Sequence, residues 1–128
     1  MPYPISRYLN TQVAYGASFT ADGKRINFIS NMTGVGQVWQ VGLPGADGKR
    51  RWPTQMTFEP DRVMEVVSSR VPGDERMIYF ADVGGNENAQ IYLLDPVNVT
   101  ETCLTEGHED AMHLAGEWSA DGKRIVFG

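Results

Sequence analysis

Short segments that alternate polar and apolar side chains recur along this chain of 128 residues. Residues 25–29 read Arg-Ile-Asn-Phe-Ile, and residues 37–41 read Gln-Val-Trp-Gln-Val. Residues 90–94, Gln-Ile-Tyr-Leu-Leu, match the second segment at a shift of 53 positions. A period of two is typical of β-strands, and no segment of convincing length shows the helical period. The pattern therefore predicts an all-β fold.

Turn-forming pairs separate these segments. Glycine accepts positive φ, and an Asp carboxylate accepts hydrogen bonds from nearby backbone, so such pairs favour tight turns. The pairs are Asp22-Gly23, Asp47-Gly48, Gly73-Asp74, Gly84-Gly85 and Asp121-Gly122. Their positions predict that successive strands are joined as antiparallel hairpins.

The segments belong to a longer internal repeat. Residues 17–30 (ASFTADGKRINFIS) return at 116–128 (GEWSADGKRIVFG), which aligns Ile26 with Ile125 at a shift of 99. A weaker copy lies at residues 66–81. It aligns Ile78 with Ile26 and with Ile125, and so divides the shift of 99 positions into 52 and 47. Four short strands in a unit of about 50 residues are typical of a β-propeller blade.

The repeat divides the chain into a lead-in and three units. Residues 1–12 form the lead-in, 13–60 the first blade, 61–106 the second blade and 107–128 the first half of a third. Propellers have typically about four to eight blades. We therefore expect a β-propeller fragment of about two and a half four-stranded antiparallel blades, which cannot close a ring.

The repeat also resembles that of known propellers. Residues 18–28, then Ser30-Asn31 and residues 37–39, resemble the SPDGKxIAFxS…IW repeat of TolB-like, WD-type propellers and of prolyl oligopeptidase family serine peptidases. Ala21 and Ala120 replace the usual Pro of that repeat. Four segments resemble the opening blades of bacterial acylaminoacyl-peptidase-like members. They are residues 8–10, 14–19, 55–58 and 84–94.

The peptidase resemblance implies an α/β-hydrolase domain after the propeller, with a nucleophile-elbow Ser, an Asp and a His. We expect this chain to lack that domain. The nearest approach to Gly-x-Ser-x-Gly is residues 16–20, where Thr20 replaces the second Gly and a strand pattern follows. Ser18 is therefore predicted to be a strand residue near a blade's inner edge, and we expect no catalytic residue and no enzyme activity from this chain alone.

Two functions remain open. In the first, the chain is the non-catalytic N-terminal propeller part of a prolyl-oligopeptidase-like peptidase, which gates the access of peptide substrates to the hydrolase domain. In the alternative, it is a TolB-like propeller scaffold for protein–protein interaction, which binds a partner by shape and β-augmentation.

Two polar segments carry side chains of the types that bind metal ions. His108 and His113 are zinc ligand types, but a spacing of five places the rings on opposite faces of an extended segment. Their acidic neighbours are Glu106, Glu109 and Asp110. Residues 82–88 offer oxygen ligands without the order of an EF-hand loop, which favours a long hairpin loop. We predict no metal and no cofactor.

The remaining notable side chains have structural interpretations. Trp52 follows Lys49-Arg50-Arg51 and is expected at a rim, where the basic run forms a solvated hairpin tip. Cys103 aligns with Gln55 at a tolerant, partly exposed position, and no motif makes it a nucleophile. Strand aromatics are predicted to pack between blades. They are Phe28, Trp39, Tyr79, Phe80, Tyr92, Trp118 and Phe127.

Charge and composition restrict the partners. The chain has 11 Lys and Arg and 16 Asp and Glu, which gives a net charge of −5. This charge disfavours binding to nucleic acid and to anionic membrane surfaces. Neither a membrane-spanning run nor a signal-like start is present, so we expect a cytoplasmic protein. A single cysteine excludes an internal disulfide. Exposed blade faces and the unpaired edge after Phe127 predict self-association.

Overall fold

A computed structural model describes residues 3–9, 11–114 and 116–128. Residues 1, 2 and 10 of the expected lead-in, and Ala115 in the third unit, lie outside the described residues. The elements are α1 (Ile5–Leu9), β1 (Ala14–Phe19), β2 (Arg25–Ser30), β3 (Gln37–Gly42), β4 (Thr54–Gln55), β5 (Val63–Ser68), β6 (Met77–Ala81), β7 (Gln90–Asp95), β8 (Thr100–Cys103), β9 (Glu117–Trp118) and β10 (Ile125–Val126).

The strands form two four-stranded antiparallel sheets in chain order, β1-β2-β3-β4 and β5-β6-β7-β8, and a third sheet of β9 and β10. This confirms the predicted all-β fold with two four-stranded blades and the first half of another. The helix α1 is a short turn of five residues in the lead-in. In the described part of the chain, no helix has the length and apolar character needed to cross a membrane.

Strand pairing corrects the alignment of the middle repeat. Phe19 pairs with Ile26, Ser68 with Met77, and Trp118 with Ile125. Met77, and not Ile78, is therefore equivalent to Ile26 and Ile125. The turn between β5 and β6 is two residues longer than its counterparts, and β6 is apolar throughout, so the sequence pattern alone fits either register. A shift of one residue exchanges the two faces of a strand.

Blade 2 is apolar on both faces because it packs between two neighbours. On one face, Met77 and Tyr79 join Ile29 and Val38 of blade 1 in a buried cluster. On the other face, Ile78 and its neighbours Phe80 and Ile91 contact Trp118 of the third blade. Each fully buried side chain of this size stabilises the fold by about 1.5–3 kcal/mol. All five residues of β6 are buried.

The strand aromatics contribute unequally to this packing. Tyr79, Phe80 and Trp118 are buried, and the ring of Tyr79 stacks on that of Tyr92 at a centroid distance of 5.1 Å. Tyr92 is half-buried in this packing. Phe28 and Trp39 are also half-buried, but they pair on the outer face of blade 1, which no blade among the described residues covers. The prediction that these two aromatics pack between blades is therefore wrong. Phe127 stays 38% exposed, because the third blade covers blade 2 with only two strands.

A buried Gln–Thr contact recurs in both complete blades. In blade 1, the Thr57 hydroxyl donates to Gln37 Oε1 at 2.7 Å and accepts from the backbone N–H of Val38 at 2.9 Å. In blade 2, the Thr105 hydroxyl donates to Gln90 Oε1 at 2.6 Å. The threonine lies just after the short fourth strand, so its side chain continues the pairing with the third strand.

A polar network crosses the interface between blades 1 and 2. Asn27 is fully buried, although its place in the alternating pattern indicates a solvent-facing position. Its amide Nδ2 donates to Ser68 Oγ at 2.8 Å, and its Oδ1 accepts from Gln40 Nε2 at 2.9 Å. The backbone N–H of Ser68 donates in turn to Ser18 Oγ at 2.9 Å. Asn27 is therefore satisfied inside the core.

The Gln–Thr contact predicts a specific loss of stability. The Thr57→Val variant keeps the shape but leaves the Gln37 carbonyl and the Val38 N–H without this partner, which costs about 1–3 kcal/mol for a buried group. We expect urea unfolding to show that loss. Thr102→Val, at an exposed position of β8, is the control and should change stability by less than about 0.5 kcal/mol. Equal effects of the two variants would contradict the role of the contact.

Candidate functional site

The two ends of the blades differ in charge. Connections between antiparallel strands fall alternately at opposite ends, so the loops form two edges of the molecule. One end, the basic edge, comprises residues 20–25, 43–53, 69–76, 95–99 and 119–124. It holds nine of the eleven Lys and Arg. These are Lys24, Arg25, Lys49, Arg50, Arg51, Arg70, Arg76, Lys123 and Arg124.

The opposite end, the acidic edge, comprises residues 31–36, 56–62, 82–89, 104–114 and 116. Its carboxylates are Glu59, Asp61, Asp82, Glu87, Glu106, Glu109 and Asp110. Arg62 is the one Lys or Arg among those residues. The basic edge also holds six of the 16 Asp and Glu, so it has an excess of three positive charges, whereas the acidic edge has an excess of six negative charges. This separation depends on which loops share an end of the sheets.

Three turns of the same design lie on the basic edge. A hydroxyl residue before the turn contacts the Asp of the turn: Thr20 with Asp22, Ser69 with Asp74, and Ser119 with Asp121. In the first and third, the hydroxyl also accepts the backbone N–H of an arginine, Arg25 at the start of β2 and Arg124 just before β10. The middle turn keeps the contact between hydroxyl and Asp although it is two residues longer. This extra length explains why its copy of the repeat is weaker in sequence.

Arginines of these turns join neighbouring blades. Arg25 pairs with Glu75 of the next blade. Arg76 donates from Nη2 to Asp74 at 2.7 Å and to the carbonyl oxygen of Gly122 at 2.9 Å, and its guanidinium lies 5.3 Å from the ring centroid of Trp118. The Arg76 side chain, with help from Ser69, lowers the pKa of Asp74 to about 2.

The loop between β3 and β4 is the most exposed part of the basic edge. Trp52 lies there with 93% of its surface exposed, in agreement with the expected rim position. Arg50, Arg51, Trp52 and Pro53 line a hollow of about 340 Å³. Arg51 Nη2 lies 3.7 Å from Asp47 Oδ2 within the same loop.

On the acidic edge, residues 82–88 form the hairpin loop between β6 and β7, as predicted. The N–H of Gly84 donates to Asp61 Oδ2 at 2.7 Å, and Arg62 Nε donates to Asp82 Oδ2 at 3.2 Å. Asp82 Oδ1 is buried without a hydrogen-bond partner among the described residues. Across residues 3–9, 11–114 and 116–128, no three His, Cys, Asp or Glu side chains are grouped to hold a metal ion.

His113 contacts both the backbone of its own segment and the third blade. His113 Nε2 lies 3.2 Å from the carbonyl oxygen of His108, and the His113 ring packs edge-on against Phe127 at a centroid distance of 5.7 Å. Glu109 Oε1 accepts the backbone N–H of Gly107 at 2.8 Å. The polar side chains of His113 and Glu109 thus contact backbone groups of the linker itself.

Ser18 and Cys103 occupy the strand positions that the sequence predicts. Ser18 lies in β1, where its hydroxyl oxygen lies 3.1 Å from the hydroxyl of Ser68. Cys103 is half-buried at the end of β8, and it pairs with Tyr92 as Gln55 pairs with Trp39. Its sulfur lies 3.7 Å from Thr105 Oγ1.

One acidic residue of the linker between blades is tied to the core. Glu59 Oε1 accepts a hydrogen bond of 2.6 Å from the hydroxyl of buried Tyr79. Burial raises the pKa of Glu59, and burial with this contact raises the pKa of Tyr79. The N–H and carbonyl of Glu59 both contact the Gln37 amide. Sequence patterns gave no signal for this link between blades.

The outer face of blade 1 is an apolar surface that no blade in the described part of the chain covers. Ile26, Phe28 and Val41 line a hollow of about 340 Å³, and Phe19 beside them is 58% exposed. Their register makes them equivalent to Met77, Tyr79, Leu94 and Ser68 of blade 2. Those four residues are buried.

Comparison with solved structures identifies a TolB-like β-propeller fold. The chain is 29% identical to TolB from Acinetobacter baumannii, with a TM-score of 0.62, over 88% of this chain and 25% of that chain. It is 18% identical to a protein assigned as TolB from Agrobacterium tumefaciens, with a TM-score of 0.62, over 90% of this chain and 43% of that one. The chain thus spans less than half of either protein.

No family model and no curated protein matches the chain. Nothing in these comparisons supports the prolyl oligopeptidase branch of the sequence resemblance, whereas they agree with its TolB-like branch.

The Asp74 carboxylate predicts a pH-dependent contribution to stability. Its folded pKa of about 2 lies below the ordinary value of 3.8, so the stabilisation is complete above about pH 4 and is lost as the pH falls towards 2. We expect the stability difference between wild type and Asp74→Asn to shrink over that interval in urea titrations. Asp110→Asn, on an exposed loop, is the control. A difference that stays constant down to about pH 2 would contradict the assignment.

Proposed function

We propose that this chain is part of a TolB-like propeller scaffold that binds a protein partner through its exposed edges. The observation that carries the proposal is the separation of charge between the basic edge and the acidic edge. Loops held by a rigid sheet scaffold are where proteins commonly place binding residues. Opposite charges on two edges of one rigid body suit recognition of partners by electrostatic complementarity.

A second candidate is the lid of a prolyl-oligopeptidase-like serine peptidase. In that role the propeller covers the active site of a hydrolase domain and admits only short or unstructured peptides. Its support is the sequence resemblance of residues 55–58 and 84–94 to the opening blades of such enzymes. The TolB-like structural neighbours favour the scaffold.

The coding DNA beyond the codon for Gly128 separates these two functions. The scaffold predicts that any continuing reading frame encodes further blades without a nucleophile elbow. A Gly-x-Ser-x-Gly sequence between a predicted strand and helix would instead support the peptidase and contradict the scaffold.

We also propose that chains of these 128 residues self-associate through the outer face of blade 1. The support is equivalence within the repeat, since the same face of blade 2 is covered by another blade of this chain. The occupant is the same face of a second copy, because Phe19, Ile26 and Phe28 are uncharged and two-fold contacts are the commonest kind.

Sedimentation measurements test this contact. We expect wild type to sediment as a dimer and Phe19→Asp, which changes an exposed side chain, to shift the protein to monomer. Val97→Asp is the matched control, since Val97 is 68% exposed on another turn. A wild-type protein that remains monomeric at high concentration would overturn the proposal.

A further inference from the structure

The exposure of Trp52 has no explanation in the packing of the blades. An indole is highly buried on average in folded proteins. The other two tryptophans follow that rule, with Trp118 buried and Trp39 half-buried. Trp52 is 93% exposed, so it offers a partner a large apolar surface to cover.

Contacts within the loop order residues 45–51, which directly precede Trp52. The carboxylate of Asp47 accepts the backbone N–H of Lys49 at 3.0 Å and lies near the guanidinium of Arg51. The N–H of Gly48 donates to the carbonyl of Gly45 at 2.9 Å. A loop ordered before binding loses less conformational entropy when a ligand arrives.

The chemistry around Trp52 is cationic. Lys49 and Arg50 are exposed and form no ion pair within the described part of the chain. The hollow on the basic edge is lined by Arg50, Arg51, Trp52 and Pro53. Trp and Arg are the residues most enriched at the energetic centres of protein interfaces. A guanidinium can also hold a carboxylate by two parallel hydrogen bonds.

We propose that residues 49–53, the Arg–Trp tip, bind an acidic segment of a protein partner. A carboxylate of the segment pairs with Arg50, and an adjacent apolar side chain or peptide plane packs on the Trp52 indole. The proposal rests on the scaffold function and names the chemistry of one partner.

Other anionic ligands fit the molecule less well. A long nucleic acid or an anionic membrane would extend past the tip and meet a chain of net charge −5. A short acidic segment contacts the tip alone and avoids the carboxylates of the acidic edge. The carboxylates of a second copy of this chain are the remaining alternative ligand for the Arg–Trp tip.

Anisotropy of a fluorescein-labelled short peptide of Glu and Asp with one central Phe tests the proposal on the full chain. We expect Arg50→Glu and Trp52→Ala each to weaken binding by at least about tenfold. Arg124→Glu, an equal charge change at an exposed position of the same edge, and Phe58→Ala, which removes an exposed aromatic from the acidic edge, should each stay within about twofold. A Lys-rich peptide with the same Phe should not bind.

Several outcomes would overturn the Arg–Trp tip assignment. One is a loss of peptide binding in Arg124→Glu that equals the loss in Arg50→Glu. Others are undetectable binding of the acidic peptide to wild type, or displacement of the peptide by single-stranded DNA or phosphatidylserine vesicles at lower concentrations than by unlabelled peptide. Low-salt self-association abolished by Trp52→Ala would assign the tip to a second copy. None of these results bears on the coding-sequence test, so the scaffold function can fail or stand separately.

Discussion

The packing of blade 2 between two other sheets is the constraint on which the rest of the structure depends. A sheet that is apolar on both faces is stable in water only when each face is covered. β6 is buried along its whole length, with Met77 and Tyr79 facing blade 1 and Ile78 and Phe80 facing the third blade. This packing sets the order of the blades and places their loops at two opposite ends, the basic edge and the acidic edge.

Directional polar contacts then set how the sheets meet. Asn27 bridges blades 1 and 2 through Ser68, and Arg76 bridges blade 2 and the third blade through Gly122. Buried polar groups are costly when unpaired, so these contacts favour one relative position of the sheets over others that bury equal area. A rigid arrangement of blades is what keeps the edge loops in fixed positions for recognition.

Much of this architecture was accessible from sequence, because period-two patterns and turn pairs report directly on strands and hairpins. The register of β6 was not accessible, since Met77 and Ile78 satisfy an apolar pattern equally well and only the turn geometry separates them. Nor was the burial of Asn27, because alternation assumes that one face meets water. The exposed rim position of Trp52 was expected from its basic neighbours, whereas the charged edges required knowledge of which loops share an end.

Native-state hydrogen exchange measures the central constraint most directly. The account predicts that the amides of Met77–Ala81 exchange only through global unfolding, because both faces of β6 are covered, and that those of β9 and β10 exchange faster through local opening. If the amides of β6 exchanged as fast as those of the third blade, blade 2 would not be the packed centre of the molecule.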